Sequence, residues 1–279
     1  MNDLLVDATW LESHRDDVVV ADVRWSATGG TAEAERAFEA GHIPGAVFFD
    51  VDRDLAGVPF VEGPGRHPLP DPERFATALA SRGIGQDDLV IAYDDGGGSV
   101  AARLWWLLDA LGRPCALLDG GLSAWPGPRG SGPATPRPAA TADVRLWPEQ
   151  RIVDADGVAE ALRSGDLVLD ARVGERYRGE TEPIDPVAGH IPGARSAPFP
   201  NVLGADGRFR SPQELRDRFE ALGVAEDAVP IAYCGSGVTA SLDVFALKLA
   251  GFGDARLYEG SWSDWVHDPS RPVATGAEP

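Results

Sequence analysis

Cys234 is the residue best placed for chemistry. It stands in V-P-I-A-Y-C-G-S-G-V-T-A, between a short apolar run ending at Tyr233 and a helical pattern with Val238, Leu242, Phe245 and Leu249 at three- and four-residue spacings. That order puts a thiol at the carboxyl end of a buried strand, with a small-residue loop beyond it and a helix amino terminus aimed back at it. The backbone N–H groups of Gly235–Thr239 can converge there as a nest for negative charge, and the helix dipole adds to it. Both favour the thiolate, which is the nucleophilic form of cysteine. Gly237 and Thr239 shape the loop through permissive backbone angles and their N–H groups. Cys115 lies at the start of an apolar run without such a loop and reads as a core residue.

The elements that hold this loop occur twice. G-H-I-P-G-A stands at 41–46 and again at 189–194, and I-A-Y stands at 91–93 and again at 231–233. L-L-D-G-G-L-S-A-W at 117–125 answers L-Y-E-G-S-W-S-D-W at 257–265. Each G-H-I-P-G-A follows a strand-like run ending in an acid, V-V-V-A-D-V-R-W at 18–25 and L-V-L-D-A-R at 167–172. Matching order at near-equal spacing means two copies of one domain. Strands are expected at Val18–Val23, Val47–Phe49, Leu89–Tyr93, Ala116–Leu118, Leu167–Ala171, Val229–Tyr233 and Ala255–Tyr258, with helices at Pro72–Arg82, Val100–Leu111, Pro212–Leu222 and Val238–Ala250. Alternating strands and helices predict an α/β fold, each copy a mostly parallel sheet with helices on both faces. Ligands then bind beyond the carboxyl ends of the strands, where Cys234 falls.

The expected boundaries are a first domain at 1–128, a Pro/Gly-rich linker at 129–148 and a second domain at 149–279. Trp147 is expected to pack against a domain, and a cleft between the two copies is the expected site. The copies differ at one decisive position: Tyr233-Cys234 in the second is Tyr93-Asp94 in the first. Chemistry is thereby assigned to the second copy.

Composition narrows the partners. The chain of 279 residues carries 44 acidic against 25 basic side chains, a formal charge of −19, which repels nucleic acid and anionic membrane. No apolar run is long enough to span a bilayer. The amino terminus has neither a basic leader nor a long apolar core, so a cytoplasmic location is the expectation. Two cysteines make neither a disulfide framework nor a cysteine-built metal site, and no cofactor or metal is expected.

Duplicated G-H-I-P-G-A domains with a single C-G-S-G-V-T-A and E-G-S-W-S-D-W in the second resemble the two-domain rhodanese family over essentially the whole chain. The resemblance implies a sulfurtransferase that moves sulfur from a small-molecule donor through a persulfide on Cys234 to a thiol acceptor, such as a thioredoxin or a small thiol, or to cyanide. The loop is similar to that of 3-mercaptopyruvate sulfurtransferases; thiosulfate enzymes usually carry Arg and Lys where this chain has Gly235 and Ser236. The uncharged pair suits a donor with one carboxylate better than a dianion, and thiosulfate is the alternative donor.

The resemblance also implies roles for single residues. Arg176 is the donor-carboxylate arginine, with Gly235, Gly237, Val238 and Thr239 lining the donor. Ser236 assists proton movement with His42 as its partner and Glu33 as the acid behind it, although His190 occupies the place of His42 in the other copy. A second arginine often follows T-E-P-x-P. Here the stretch is T-E-P-I-D-P, and Arg178 or Arg195 is the expected substitute. Trp25 and Trp265 are candidates for cleft walls. A phosphatase would need an arginine where Ala240 stands, a non-catalytic module would not need the intact Cys234 loop, and a sulfur-carrier role in cofactor biosynthesis would use the same persulfide.

Overall fold

The computed structural model describes residues 4–25 and 29–279. The first three residues of the amino-terminal stretch read above lie outside these. The chain divides into two compact units. The first comprises Met1–Gly57, Leu69–Trp147 and Ala205–Phe209; the second comprises Val58–Pro68, Pro148–Gly204 and Arg210–Pro279. The segment Val58–Pro68, read as part of the first domain, thus packs with the second unit.

Each unit holds a five-stranded sheet in which every pairing is parallel. In the first, β1 (Leu5–Val6), β2 (Val19–Arg24), β3 (Val47–Asp50), β4 (Val90–Tyr93) and β5 (Cys115–Leu118) take the order β1-β5-β4-β2-β3. In the second, β6 (Ile152–Val153), β7 (Val168–Asp170), β8 (Arg195–Ser196), β9 (Ile231–Tyr233) and β10 (Arg256–Tyr258) repeat it as β6-β10-β9-β7-β8. The expected helices appear as Pro72–Ser81, Ala101–Ala110, Pro212–Ala221 and Ala240–Leu249. The structure adds β1, β6, β8 and the helices Ala8–His14, Gly30–Ala40 and Ala155–Ser164 to the elements expected from sequence. The stretch 131–148 forms neither helix nor strand. Trp147 closes it by donating Nε1–H to the Pro70 carbonyl and packing on Phe75.

The repeated letters are a frame. In I-P-G-A the alanine N–H bonds the isoleucine carbonyl in both copies, with Gly45 at φ 84° and Gly193 at φ 91°. Proline at the second position and a left-handed glycine at the third make a type II turn. The tyrosine of I-A-Y reads this turn: Tyr93 Oη accepts from the Ile43 amide at 2.9 Å, and Tyr233 Oη from Ile191 at 3.2 Å. The acid and arginine at the end of the second-unit strand pair in the interior, Asp170 with Arg172, as Asp22 does with Arg24. Each arginine then donates to the glycine carbonyl of G-H-I-P-G-A, Arg24 to Gly41 at 2.7 Å and Arg172 to Gly189 at 2.6 Å. Breaking such a buried pair costs about 3–5 kcal/mol, because one charge is left uncompensated.

One buried carboxyl stands outside this frame. Asp243, in the helix that follows the Cys234 loop, is fully buried, and neither of its oxygens has a hydrogen-bond partner among the described residues. Burial pushes it well above the ordinary carboxylate value of 3.8, although Arg218 opposes the shift. The folded chain therefore keeps a proton that the unfolded chain releases, and stability falls as pH rises from 3.8 through the folded value. Asp243→Asn, which cannot ionise, is expected to raise the midpoint of thermal unfolding near neutral pH, by about 1–3 kcal/mol of stability, with the gain shrinking as pH falls. Melting curves across pH check this; a gain that does not depend on pH would contradict it.

Candidate active site

The loop after β9 is shaped by what approaches it. Cys234 is 2% exposed, and its N–H donates to Ser261 Oγ at 3.1 Å. Its carbonyl accepts from the Trp262 amide at 2.9 Å, and the Gly235 carbonyl from the Ser263 amide at 3.0 Å. Ser261 is held at φ 53°, a left-handed conformation that is costly for a residue with a side chain. Its hydroxyl compensates by also donating to the Tyr258 carbonyl at 2.9 Å. Gly237 has φ 78°, and a Cβ there would lie 2.6 Å from the Glu259 carbonyl oxygen. The E-G-S-W turn thus presses against the cysteine loop and fixes its path.

The sister loop shows what this path can bind. Asp94, at the position of Cys234, accepts the amides of Gly96, Gly98, Val100 and Ala101 at 2.7–2.9 Å. A nest for an anion therefore exists in the first unit, filled by the chain's own carboxylate. Ser236 and Val238 are the counterparts of Gly96 and Gly98, and their amides have no acceptor among the described residues. The helix Ala240–Leu249, with Thr239 at its N-cap, directs its amino terminus at the same loop. Ala240 is buried at the start of that helix, where a phosphate-binding loop would need its arginine.

The imidazole that meets Ser236 is that of His67, not His42. Ser236 Oγ lies 2.7 Å from Nδ1 of His67, and both residues are buried. His42 faces the Phe38 carbonyl through Nδ1 at 2.9 Å and stacks on the Phe38 ring. A carbonyl only accepts, so Nδ1 carries the proton there. His190 repeats the arrangement on Tyr177, with Nδ1 at 2.8 Å from its carbonyl and the rings stacked. Backbone pairing continues the likeness, His42 with Gly130 and His190 with Ala274. Both histidines belong to the frame. Glu33 lies in the first turn of the helix Gly30–Ala40, with its carboxylate folded over Gly29, a place where the helix dipole favours an acid.

His67 reaches Ser236 because its segment is docked on the second unit. Phe60 stacks on His267, Gly65 approaches Gly260 so closely that a Cβ would lie 2.4 Å from its carbonyl oxygen, and the Arg66 amide donates to Ser263 Oγ at 3.1 Å. The H-P-L-P stretch at 67–70 carries no motif that marks it as functional. The only sequence signal is a histidine just after the glycine- and proline-rich G-P-G-R.

Arg176 lies beside Gly235, the residue that follows the cysteine. A Cβ added at Gly235 would come 3.4 Å from its Nη1. Its Nε and Nη2 form a fork on Glu182, at 3.1 and 2.6 Å. Burial pushes the Glu182 carboxyl up, but the hydrogen bond from Arg176 and the amides of Asp185 and Ile184 outweigh it and hold it below the usual range. The two suggested substitutes for a second arginine are engaged by other groups, Arg178 by Glu180 and Arg195 by the Leu222 carbonyl. Trp265 is buried in the core of the second unit, and Trp25 donates to Asp52. Cys115 is buried, its sulfur 3.5 Å from the Trp105 carbonyl.

Among the described residues, no group of three or more His, Cys, Asp or Glu could hold a metal ion, and no helix is long and apolar enough to cross a membrane. A buried cysteine in an amide-lined loop, a hydroxyl–imidazole pair and a guanidinium beside it can perform nucleophilic attack on an anionic substrate with proton transfer.

The chain matches the model of the rhodanese-like domain twice, over residues 7–127 and 154–268. It is 49% identical over 270 residues to a probable 3-mercaptopyruvate sulfurtransferase of Pseudomonas aeruginosa, covering 93% of each chain. It is 40% identical over 267 residues to a putative thiosulfate sulfurtransferase of Mycobacterium tuberculosis, covering 94% of this chain and 92% of that one. The crystal structure of a 3-mercaptopyruvate sulfurtransferase from Escherichia coli is similar with a TM-score of 0.81 at 33% identity, covering 93% of this chain and 98% of that one. Two tandem domains of one fold, of which the second alone carries the cysteine, make this chain a member of the rhodanese family.

Proposed function

We propose that the protein is a sulfurtransferase that takes the sulfur of 3-mercaptopyruvate onto Cys234 as a persulfide and passes it to a thiol or cyanide. The observation that carries this reading is the Cys234 loop itself, with the Ser236 and Val238 amides, which have no acceptor among the described residues, on one side and Arg176 over Gly235 on the other. In the first half-reaction the Cys234 thiolate attacks the donor sulfur. An S–S bond forms and the donor C–S bond breaks, its electron pair remaining on carbon as the enolate of pyruvate. The Ser236 hydroxyl, hydrogen-bonded to His67, supplies the proton that this carbon takes up, and pyruvate leaves. In the second half-reaction an acceptor thiolate attacks the outer sulfur, and Cys234 departs as thiolate. The two steps share no ternary complex, so ping-pong kinetics follow.

Donor choice rests on charge. Thiosulfate is a compact dianion, whereas Gly235 and Ser236 offer no cation in the loop. The Mycobacterium relative's name favours thiosulfate as the second reading. The acceptor in this reading is a thioredoxin or a small thiol, and the reducing cytoplasm is where a persulfide relay of this kind would work.

Cys234→Ser is expected to abolish pyruvate release, measured with 3-mercaptopyruvate and cyanide, and retained turnover would remove the persulfide route. In the same assay thiosulfate should be the poorer donor by kcat/KM; a clear preference for it would reverse the donor assignment. His67→Ala and Ser236→Ala should each lower kcat about a hundredfold or more, the range of a lost proton-transfer group, with little change in KM. Equal activity in His42→Ala and His67→Ala would contradict the His67 assignment.

A further inference from the structure

Arg176 is not alone beside Gly235. A Cβ built on that glycine would lie 3.2 Å from Arg66 Nη2, closer than the 3.4 Å to Arg176 Nη1. Those two nitrogens make no hydrogen bond to any described residue, while the remaining contacts of both guanidinium groups anchor them. Arg66 Nη1 is paired with Asp185 Oδ1, and Arg176 Nη2 reaches Oδ2 of the same carboxylate at 3.3 Å. Asp185 therefore bridges the two arginines from behind. Its side chain is 4% exposed, against 25% for Arg66 and 15% for Arg176, so the carboxylate is interior and the guanidinium groups are reachable.

The backbone fixes Arg66 as firmly as its side chain. Its amide donates to Ser263 Oγ, and Ser263 in turn donates its own amide to the Gly235 carbonyl. One serine thus ties the Arg66 backbone to the loop that follows the cysteine. Burial raises the Asp185 carboxyl above its ordinary value, and the charge and hydrogen bond of Arg66 oppose that shift. Two N–H donors from two guanidinium groups meet over one glycine that has no side chain to separate them. A carboxylate is the group that accepts two such donors at once.

We propose that Arg66 and Arg176 together bind the donor's carboxylate, Arg66 through Nη2 and Arg176 through Nη1, with Asp185 holding both in place. This rests on the sulfurtransferase reading and deepens it by naming the second cation. Asp185 occupies the T-E-P-I-D-P stretch, after which a second arginine is expected, and the positive charge comes instead from the segment that also carries His67. The surrounding ions balance: Arg66, Arg172 and Arg176 stand with Asp170, Glu182 and Asp185. Such a neutral group accepts one added negative charge more readily than two, which favours a monocarboxylate over thiosulfate.

The test uses the full-length chain with 3-mercaptopyruvate and cyanide. Arg66→Ala should raise KM by about tenfold or more, the effect of losing one charged hydrogen bond, while kcat changes far less; Arg66→Lys should recover part of the loss. In the Cys234→Ser background, calorimetry with 3-mercaptopyruvate should show Kd rising by a similar factor on adding Arg66→Ala. Unchanged KM and Kd in a folded Arg66 variant would overturn the proposal and leave the sulfurtransferase reading standing. A fall in kcat alone would also overturn it, since Arg66 would then act through its neighbour His67. Failure of the wild-type chain to release pyruvate would instead defeat the underlying reading. Should Arg66→Ala not fold, Arg66→Lys and Arg66→Gln decide by the same split of KM against kcat.

Discussion

The peptide unit around Cys234 is gripped on both sides by a single turn. Ser261 Oγ takes its N–H and the Trp262 amide donates to its carbonyl, so the cysteine cannot move without unseating the E-G-S-W turn. This grip requires a serine in a left-handed conformation, which the first unit meets with a glycine, Gly121 at φ 56°. A side chain in that conformation costs on the order of 1–3 kcal/mol, and here it supplies the hydroxyl that holds the Cys234 amide. The sister turn grips Asp94 by its carbonyl alone, through the Leu122 amide. The strain sits beside the cysteine, with a glycine at the matching place in the other copy.

Duplication explains most of what the two units share and makes their differences informative. Tyr93 and Tyr233, Arg24 and Arg172, and His42 and His190 perform the same tasks around the same turn. Identical residues with identical partners in both copies are architecture. The residues assigned to sulfur transfer in the proposed function are those without a counterpart doing the same work: Cys234 against Asp94, Ser236 against Gly96, and Arg176 on a short helix, Gly174–Tyr177, in a connection where the first unit has the longer helix Gly30–Ala40. Asp94 shows that the loop geometry is an anion receptor by default, and the second unit turns it outward by removing the internal anion.

The sequence exposed features that are local or repeated. A strand–cysteine–small-loop–helix pattern spans a few residues, and the repeat is read by comparing letters, so Cys234, its loop and the order of strands were accessible. His67 and Arg66 were not. His67 meets Ser236 across 169 residues of sequence, and the contact depends on Gly65 nesting against Gly260, which no periodicity announces. His42 stands out because it lies inside a conspicuous motif, but its twin at His190 makes the same kind of contact in the other copy. The two-residue strands β1 and β6 are too short to carry an alternation, and their pairing with β5 and β10 comes from tertiary packing.

The central claim is that one sulfur atom passes covalently through one cysteine. Mass spectrometry of the chain after 3-mercaptopyruvate is added without an acceptor tests it directly. The account predicts a mass increase of one sulfur atom on the peptide containing Cys234, matched mole for mole by released pyruvate and discharged by cyanide. Pyruvate release with Cys234 unmodified, or added sulfur on Cys115 instead, would contradict it.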